Sequence, residues 1–171
     1  MSRNIELKAR VENLDAAREI AHRLGAERIS RFDQWDTFFP TPEGRLKLRK
    51  LPDAWELIAY HRSNEASARP SDYEILRLEE GEILRSLLSS TLGIEGEVRK
   101  TRELFLWRDV RIHMDEVDGI GTFLEFEALV NENNAEEDAT GKIHWLTDLF
   151  QIEPGSIESA SYLELLAARV G

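Results

Sequence analysis

The feature that most narrows what this chain can become is an alternation of charged with apolar side chains, repeated over several short segments. In Asn4-Ile5-Glu6-Leu7-Lys8-Ala9-Arg10-Val11 every second residue is polar, three of those four are charged, and the residues between them are aliphatic. Successive side chains of a strand point to opposite faces. Asn4, Glu6, Lys8 and Arg10 therefore share one face, and Ile5, Leu7, Ala9 and Val11 the other. The same reading sets Arg45, Lys47 and Arg49 against Leu46 and Leu48, and places Lys100 with Arg102. Arg111, His113 and Asp115 oppose Ile112 and Met114, and Glu125 and Glu127 oppose Leu124 and Phe126. A half-exposed sheet ordinarily shows mixed polar residues on its wet face; here that face is almost entirely charged.

Period-two alternation predicts strands over residues 5–11, 45–49, 55–62, 98–102, 104–107, 110–115 and 122–129. Apolar residues at helical spacing predict four helices, over 14–24, 80–92, 139–150 and 161–169. Gly25 and Gly93 end the first two, and Pro154 with Gly155 separates the last two. The PTPEG stretch at 40–44 and the DGIG stretch at 118–121 carry turn chemistry, so neighbouring strands can pair as hairpins in a mainly antiparallel sheet. No repeat or long linker interrupts the 171 residues, so one α+β domain over 1–171 is expected.

Two architectures satisfy such strands. In one, helices cover the apolar face of an open sheet and the charges face water. In the other, the sheet closes into a barrel with charges inward and helices around an apolar exterior. Segregation of charge favours the barrel: cations predominate on the strands beginning at Arg45 and Val98, and carboxylates fall on the first and last strands. Several arginines and lysines facing one lumen repel each other severely unless carboxylates or a polyanion compensate. A triphosphate carries about that much charge, and Mg2+ or Mn2+ commonly bridges carboxylates to phosphate oxygens. Glu6, Glu125 and Glu127 are the suitable ligands, with Asp115 as a further acidic candidate.

Composition removes other chemistries. There is no cysteine, hence no disulfide, thiolate metal site or cysteine nucleophile. A net charge of −11 argues against a sequence-independent nucleic-acid binder, which needs an outward basic face. The N-terminus lacks the apolar run of a signal peptide, and no segment approaches bilayer length, so a cytoplasmic protein without membrane contact is the default expectation. Walker, dinucleotide-binding and nucleophile-elbow motifs are absent.

The ordered series of these segments resembles the CYTH family, also called triphosphate tunnel metalloenzymes, which includes class IV adenylyl cyclases, thiamine triphosphatases and inorganic tripolyphosphatases. The family's opening E-x-E-x-K strand reads here Asn4-Ile5-Glu6-Leu7-Lys8. Gln34-Trp35-Asp36-Thr37-Phe38-Phe39, Gly44-Arg45-Leu46-Lys47-Leu48-Arg49 and Ile58-Ala59-Tyr60-His61-Arg62 follow. Then come Lys100-Thr101-Arg102, Arg111-Ile112-His113-Met114-Asp115, Phe123-Leu124-Glu125-Phe126-Glu127 and a closing Ser161-Tyr162-Leu163-Glu164-Leu165-Leu166.

The resemblance implies an eight-stranded antiparallel barrel forming a tunnel with a polar lumen, flanked by helices. Lys8, Arg45, Lys47, Arg49, Arg62, Lys100, Arg102 and Arg111 would grip a small-molecule triphosphate. Glu6, Glu125, Glu127 and Asp115 would hold Mg2+ or Mn2+, and Lys8 and Arg49 would stabilise charge developing in the reaction. Hydrolysis of a triphosphate is the leading expectation, cyclisation of ATP to cyclic AMP the alternative, and a non-catalytic polyphosphate- or nucleotide-binding module the third reading.

Asn4 departs from the family pattern. An amide oxygen can ligate but brings no charge, so weaker metal affinity or a shifted metal preference is expected. His113 and Asp115 share one strand face, and a supporting role is expected for His113. His22, His61 and His144 show no metal-ligand spacing, the four tryptophans read as packing, and Tyr162 reads as packing or as the tunnel's closure. A homodimer is the default assembly.

Overall fold

The computed structural model describes residues 1–170. Eight strands close into an antiparallel ring: β1 (Ser2–Arg10), β2 (Glu27–Phe39), β3 (Arg45–Lys50), β4 (Trp55–Arg62), β5 (Arg69–Leu78), β6 (Gly96–Trp107), β7 (Val110–Val117) and β8 (Gly121–Val130), in the order β1-β5-β4-β3-β2-β6-β7-β8. Four helices accompany them: α1 (Leu14–Arg23), α2 (Gly81–Leu92), α3 (Glu136–Leu149) and α4 (Tyr162–Val170), with a 3-10 turn at Pro154–Ser156. The closed-barrel alternative therefore holds, and closure leaves no sheet edge unpaired. None of the helices is long and apolar enough to cross a membrane.

The strands differ from the sequence expectation in three ways. β2 and β5 carry no simple alternation and went unpredicted. β2 mixes Phe32, Gln34, Asp36 and Phe38 on one face, and β5 contains Pro70, which weakens a strand reading. The segments at 98–102 and 104–107 are one continuous strand, β6. The helices fall where expected, except that α3 begins earlier, at Glu136.

The exterior core lies beneath α1 and α3. Ile5, Leu7 and Ala9 of β1, Ile112 and Met114 of β7, and Leu124, Phe126 and Ala128 of β8 pack against Ala17 and Ala21 of α1 and Ala139, Ile143 and Leu146 of α3. Asn13 starts α1 by accepting from the backbone N–H groups of Asp15 at 2.8 Å and Ala16 at 3.2 Å. A smaller cluster of Phe39, Leu48 and Trp55 lies under Leu84 and Leu88 of α2. Gly81 permits that contact: a Cβ there would fall 2.0 Å from the Trp55 indole.

The fourth helix does something different. Tyr162, Leu163, Leu165 and Leu166 pack against Phe38, Val98, Val117, Ile120 and Phe123, which the strand registers place together at one end of the ring. That end is plugged by α4. Around the other end lie Leu51 and the half-exposed Ile75.

Candidate functional site: a charged tunnel

Inside the ring is a cavity of about 350 Å³. Its wall includes seven cationic side chains, Lys8, Lys47, Arg49, Arg62, Lys100, Arg102 and Arg111, against five acidic ones, Glu6, Asp36, Glu56, Glu125 and Glu127. Asp115, which contacts Lys100 and Arg102, and Arg69, which contacts Glu6, bring the count to eight cations against six carboxylates, so a chain with net charge −11 encloses a lumen with a formal positive surplus. Burying cations costs several kcal/mol each unless anions compensate, so the surplus marks a place built for a further anion.

Cross-strand register sets the internal pairs. Arg49 lies opposite Asp36 and donates to both its carboxylate oxygens, at 2.9 and 3.0 Å, while Lys47 stands 3.1 Å away. Burial opposes ionisation of Asp36, but Arg49 and Lys47 outweigh it and hold the carboxyl well below its usual range. Arg102 lies opposite Asp115, donates to both oxygens at 2.7 Å, and reaches Glu125 at 2.7 Å. Lys100 donates to Asp115 at 2.8 Å. These fork-like charged bonds fix the donors that face the lumen.

Three lysines lose part of their usual basicity here, and burial with Arg49, partly offset by Asp36, lowers the first, Lys47. Burial, partly offset by Glu125, pushes Lys8 down to about 7. Burial and Arg102, partly offset by Asp115, lower Lys100 to about 8. Tyr162 of the plugging helix serves Lys8 and Lys100: its ring faces their ammonium groups, at 4.4 and 4.7 Å, and its hydroxyl donates to Asp115 at 2.9 Å. Lys8 also donates to the Ala160 carbonyl.

Across the lumen is an acidic group on β1, β7 and β8. Glu6 lies opposite Glu127, and Glu125 opposite both Lys8 and His113. His113, Glu125 and Glu127 each bring one ligand atom to within 4.8 Å of the others. Arg62 at 2.8 Å and Arg69 at 3.5 Å contact Glu6, yet burial, Glu125 and Glu127 together raise its pKa. Burial opposes ionisation of Glu125 and Glu127 as well, but His113 and the neighbouring cations prevail and lower both, so Glu6 alone is short of positive charge. Two buried atoms nearby, Asn4 Oδ1 and His113 Nδ1, have no hydrogen-bond partner. Carboxylate, amide and imidazole donors gathered in one place suit a divalent cation.

Some expected residues stand elsewhere. Arg45 does not reach the lumen: it sits at the plugged end, 3.0 Å from Glu164 and over the Tyr60 ring, because its strand begins there. Arg10 likewise leaves the inner face, donating to the Ile120 carbonyl at 2.6 Å. Asp115 has both oxygens occupied by Lys100, Arg102 and Tyr162, so it orders cations and has no free oxygen for a metal. Arg111 lines the cavity but is paired to Glu127 at 3.0 Å.

Sequence reading missed Asp36, Arg69 and Ser71 because β2 and β5 were missed. The alternation Gln34-x-Asp36-x-Phe38 was a usable signal for Asp36. Arg69, 1% exposed and bonded to the carbonyls of Glu65 and Ser159, has no comparable signature.

Comparisons with known proteins agree with this architecture. A Methanocaldococcus jannaschii protein that carries the provisional name adenylate cyclase is 25% identical, over 94% of this chain and 97% of its own. A solved structure from Pyrococcus horikoshii superposes with a TM-score of 0.83 at 23% identity, covering 97% of this chain and 99% of that one. A Hippeastrum protein, named provisionally as an adenylyl cyclase and described with a dominant triphosphatase activity, gives 0.66 at 16% identity, covering 99% and 96%. Residues 2–162 match the CYTH domain, a span that contains every strand of the ring and the whole charged lumen, and the chain belongs to the CYTH domain family.

Proposed function

We propose that this protein is a divalent-metal-dependent triphosphatase that takes the triphosphate into the barrel lumen. The observation that carries this reading is one cavity in which buried cations face a cluster of carboxylate and imidazole donors. Lys47, Arg49, Lys100 and Arg102 form the phosphate-binding side. Asp36 and Asp115 hold them in place and keep them charged, so that they meet the phosphates without reorganisation.

Glu6, Glu125 and Glu127 would hold the ion, with Asn4 and His113 beside them. When bound, the ion supplies charge neutralisation at phosphate oxygens. Lys8 stands between the two sides, close to both Tyr162 and Glu125, where its ammonium stabilises negative charge developing on the transferred group. The plug of α4 excludes water from one end, leaving the other for entry.

A cyclase reading is favoured by one feature. Phe32, Leu51, Ile75 and Leu104 also line the cavity, an apolar surface that suits an organic group attached to the triphosphate, and the Methanocaldococcus relative bears a cyclase name. The two readings separate on products. The protein is incubated with Mg2+ or Mn2+ and tripolyphosphate, ATP or thiamine triphosphate, and the products are resolved by chromatography. Orthophosphate is the expected product; cyclic AMP with pyrophosphate would replace the triphosphatase reading with the cyclase, and no product from any of the three would contradict both.

A further inference from the structure

His113 is 4% exposed, and its Nδ1 has no hydrogen-bond partner. An unpaired buried nitrogen costs about 1–3 kcal/mol, so a native structure that keeps one is expected to have a use for it. The atom is not aimed at empty space. Glu125 Oε2, which also accepts from Arg102 at 2.7 Å, lies 3.6 Å away, and Glu127 Oε1, which faces no other cation among the described residues, 3.8 Å away, both too far from the imidazole for hydrogen bonds. These separations suit a shared centre, because two ligands of one ion with bonds of about 2.1 Å lie no more than roughly 4.2 Å apart.

The β1 side of the same cluster tells a consistent story. Asn4 is 4% exposed with an orphaned Oδ1, and lies two residues before Glu6 on the same strand face. The donors at hand are thus two kinds of neutral group together with carboxylates. Hard Mg2+ favours oxygen and retains water reluctantly given up, whereas imidazole favours first-row transition ions.

We propose that His113 Nδ1 is a metal ligand and that the tunnel selects a nitrogen-accepting divalent ion, Mn2+ or Co2+, over Mg2+. This rests on the reading that the lumen holds a divalent ion. The role is one of selection: the imidazole adds a bond that Mg2+ uses poorly, and the neutral Asn4 withholds the extra charge that would favour a hard ion.

The test uses the full chain and metal alone, so that turnover does not enter. Mn2+ and Mg2+ are titrated calorimetrically into wild type, His113→Gln and Glu125→Gln, and pulsed electron paramagnetic resonance of the Mn2+-loaded wild type is searched for nitrogen coupling. Expected are at least about tenfold tighter binding of Mn2+ than Mg2+, an imidazole nitrogen signal, and loss of both the signal and the preference in His113→Gln with Mg2+ binding retained. The spectroscopic arm needs no variant, so a folding defect in His113→Gln would not rescue the idea. Equal affinities and no nitrogen signal, with binding still abolished by Glu125→Gln, would overturn His113 ligation while leaving the metal-holding lumen intact. Binding of neither metal to the wild type would overturn both.

Discussion

The two halves of the barrel wall are built differently. Strands β1, β7 and β8 are sandwiched: their outer faces lie under α1 and α3, while their inner faces carry the acidic cluster; β6 beside them carries Lys100 and Arg102 inward but leaves Glu97 and Arg99 exposed on its outer face. Strands β2 to β5 have a thinner cover, chiefly α2, so that Leu76 on β5 stays 61% exposed. Both halves offer charge to the lumen, but only β1, β7 and β8 pair that charge with a largely buried apolar exterior. The helix-covered half holds the acidic cluster, whereas the basic pair Lys47 and Arg49 on the thinner half is ordered by a single carboxylate, Asp36. Buried apolar packing and the acidic cluster are therefore concentrated in one wall, while lumen cations stand on both.

The comparison breaks if the outer faces respond alike. Phe126 is fully buried and packs edge-on against Phe150 at 5.2 Å, so Phe126→Ala should cost about 3–5 kcal/mol in urea unfolding. Next in size is the acidic cluster. Glu125→Ala should lower metal-dependent turnover by on the order of 100-fold while the fold persists, since Arg102 keeps its bonds to Asp115. Full activity would remove Glu125 from the site. On the opposite wall, Lys47→Ala should weaken tripolyphosphate binding about tenfold, the loss of one charge-assisted hydrogen bond of ~1.5 kcal/mol, read by calorimetry.

A smaller effect is expected from pH. Glu103, outside the lumen, accepts from Arg18 and Arg28 at 2.6 Å each. Burial opposes its ionisation, but the two arginines prevail and lower its pKa. A carboxylate depressed in the folded state stabilises fully above its unfolded value of about 4.3 and loses that contribution as pH falls through the folded value. Glu103→Gln should therefore lower the urea midpoint at pH 7 and show a shallower decline than wild type below about pH 4; parallel curves would deny Glu103 this role. Smallest of all, Leu76→Ser on the thin wall should change stability by less than about 0.5 kcal/mol.

The same contrast explains what was legible in the sequence. Where helices cover the outer face, alternation is enforced on every strand, and β1, β7 and β8 were readable residue by residue, including Glu6, Lys8, Glu125 and Glu127. Where the outer face is wet, selection for apolar residues relaxes. In β5, Asp72 and Glu74 stand on the outer face with Leu76, and Ser71, Tyr73 and Ile75 on the inner, so neither face has a signature. The charges of the lumen were visible, but their partners were not. That Asp115 is spent on Lys100, Arg102 and Tyr162, and that Arg45 is drawn off by Glu164, depend on contacts between residues 13 to 119 positions apart in the chain. Spacing along one strand carries no record of such contacts.

The central claim is that a triphosphate binds inside the ring. Calorimetric titration of tripolyphosphate into wild type and into Lys100→Ala, which removes a cation 6% exposed within the wall, tests it most directly. The account predicts one site per chain in the wild type and at least about tenfold weaker binding in the variant. Equal affinity in the two proteins, with the variant folded, would place the anion outside the tunnel and contradict it.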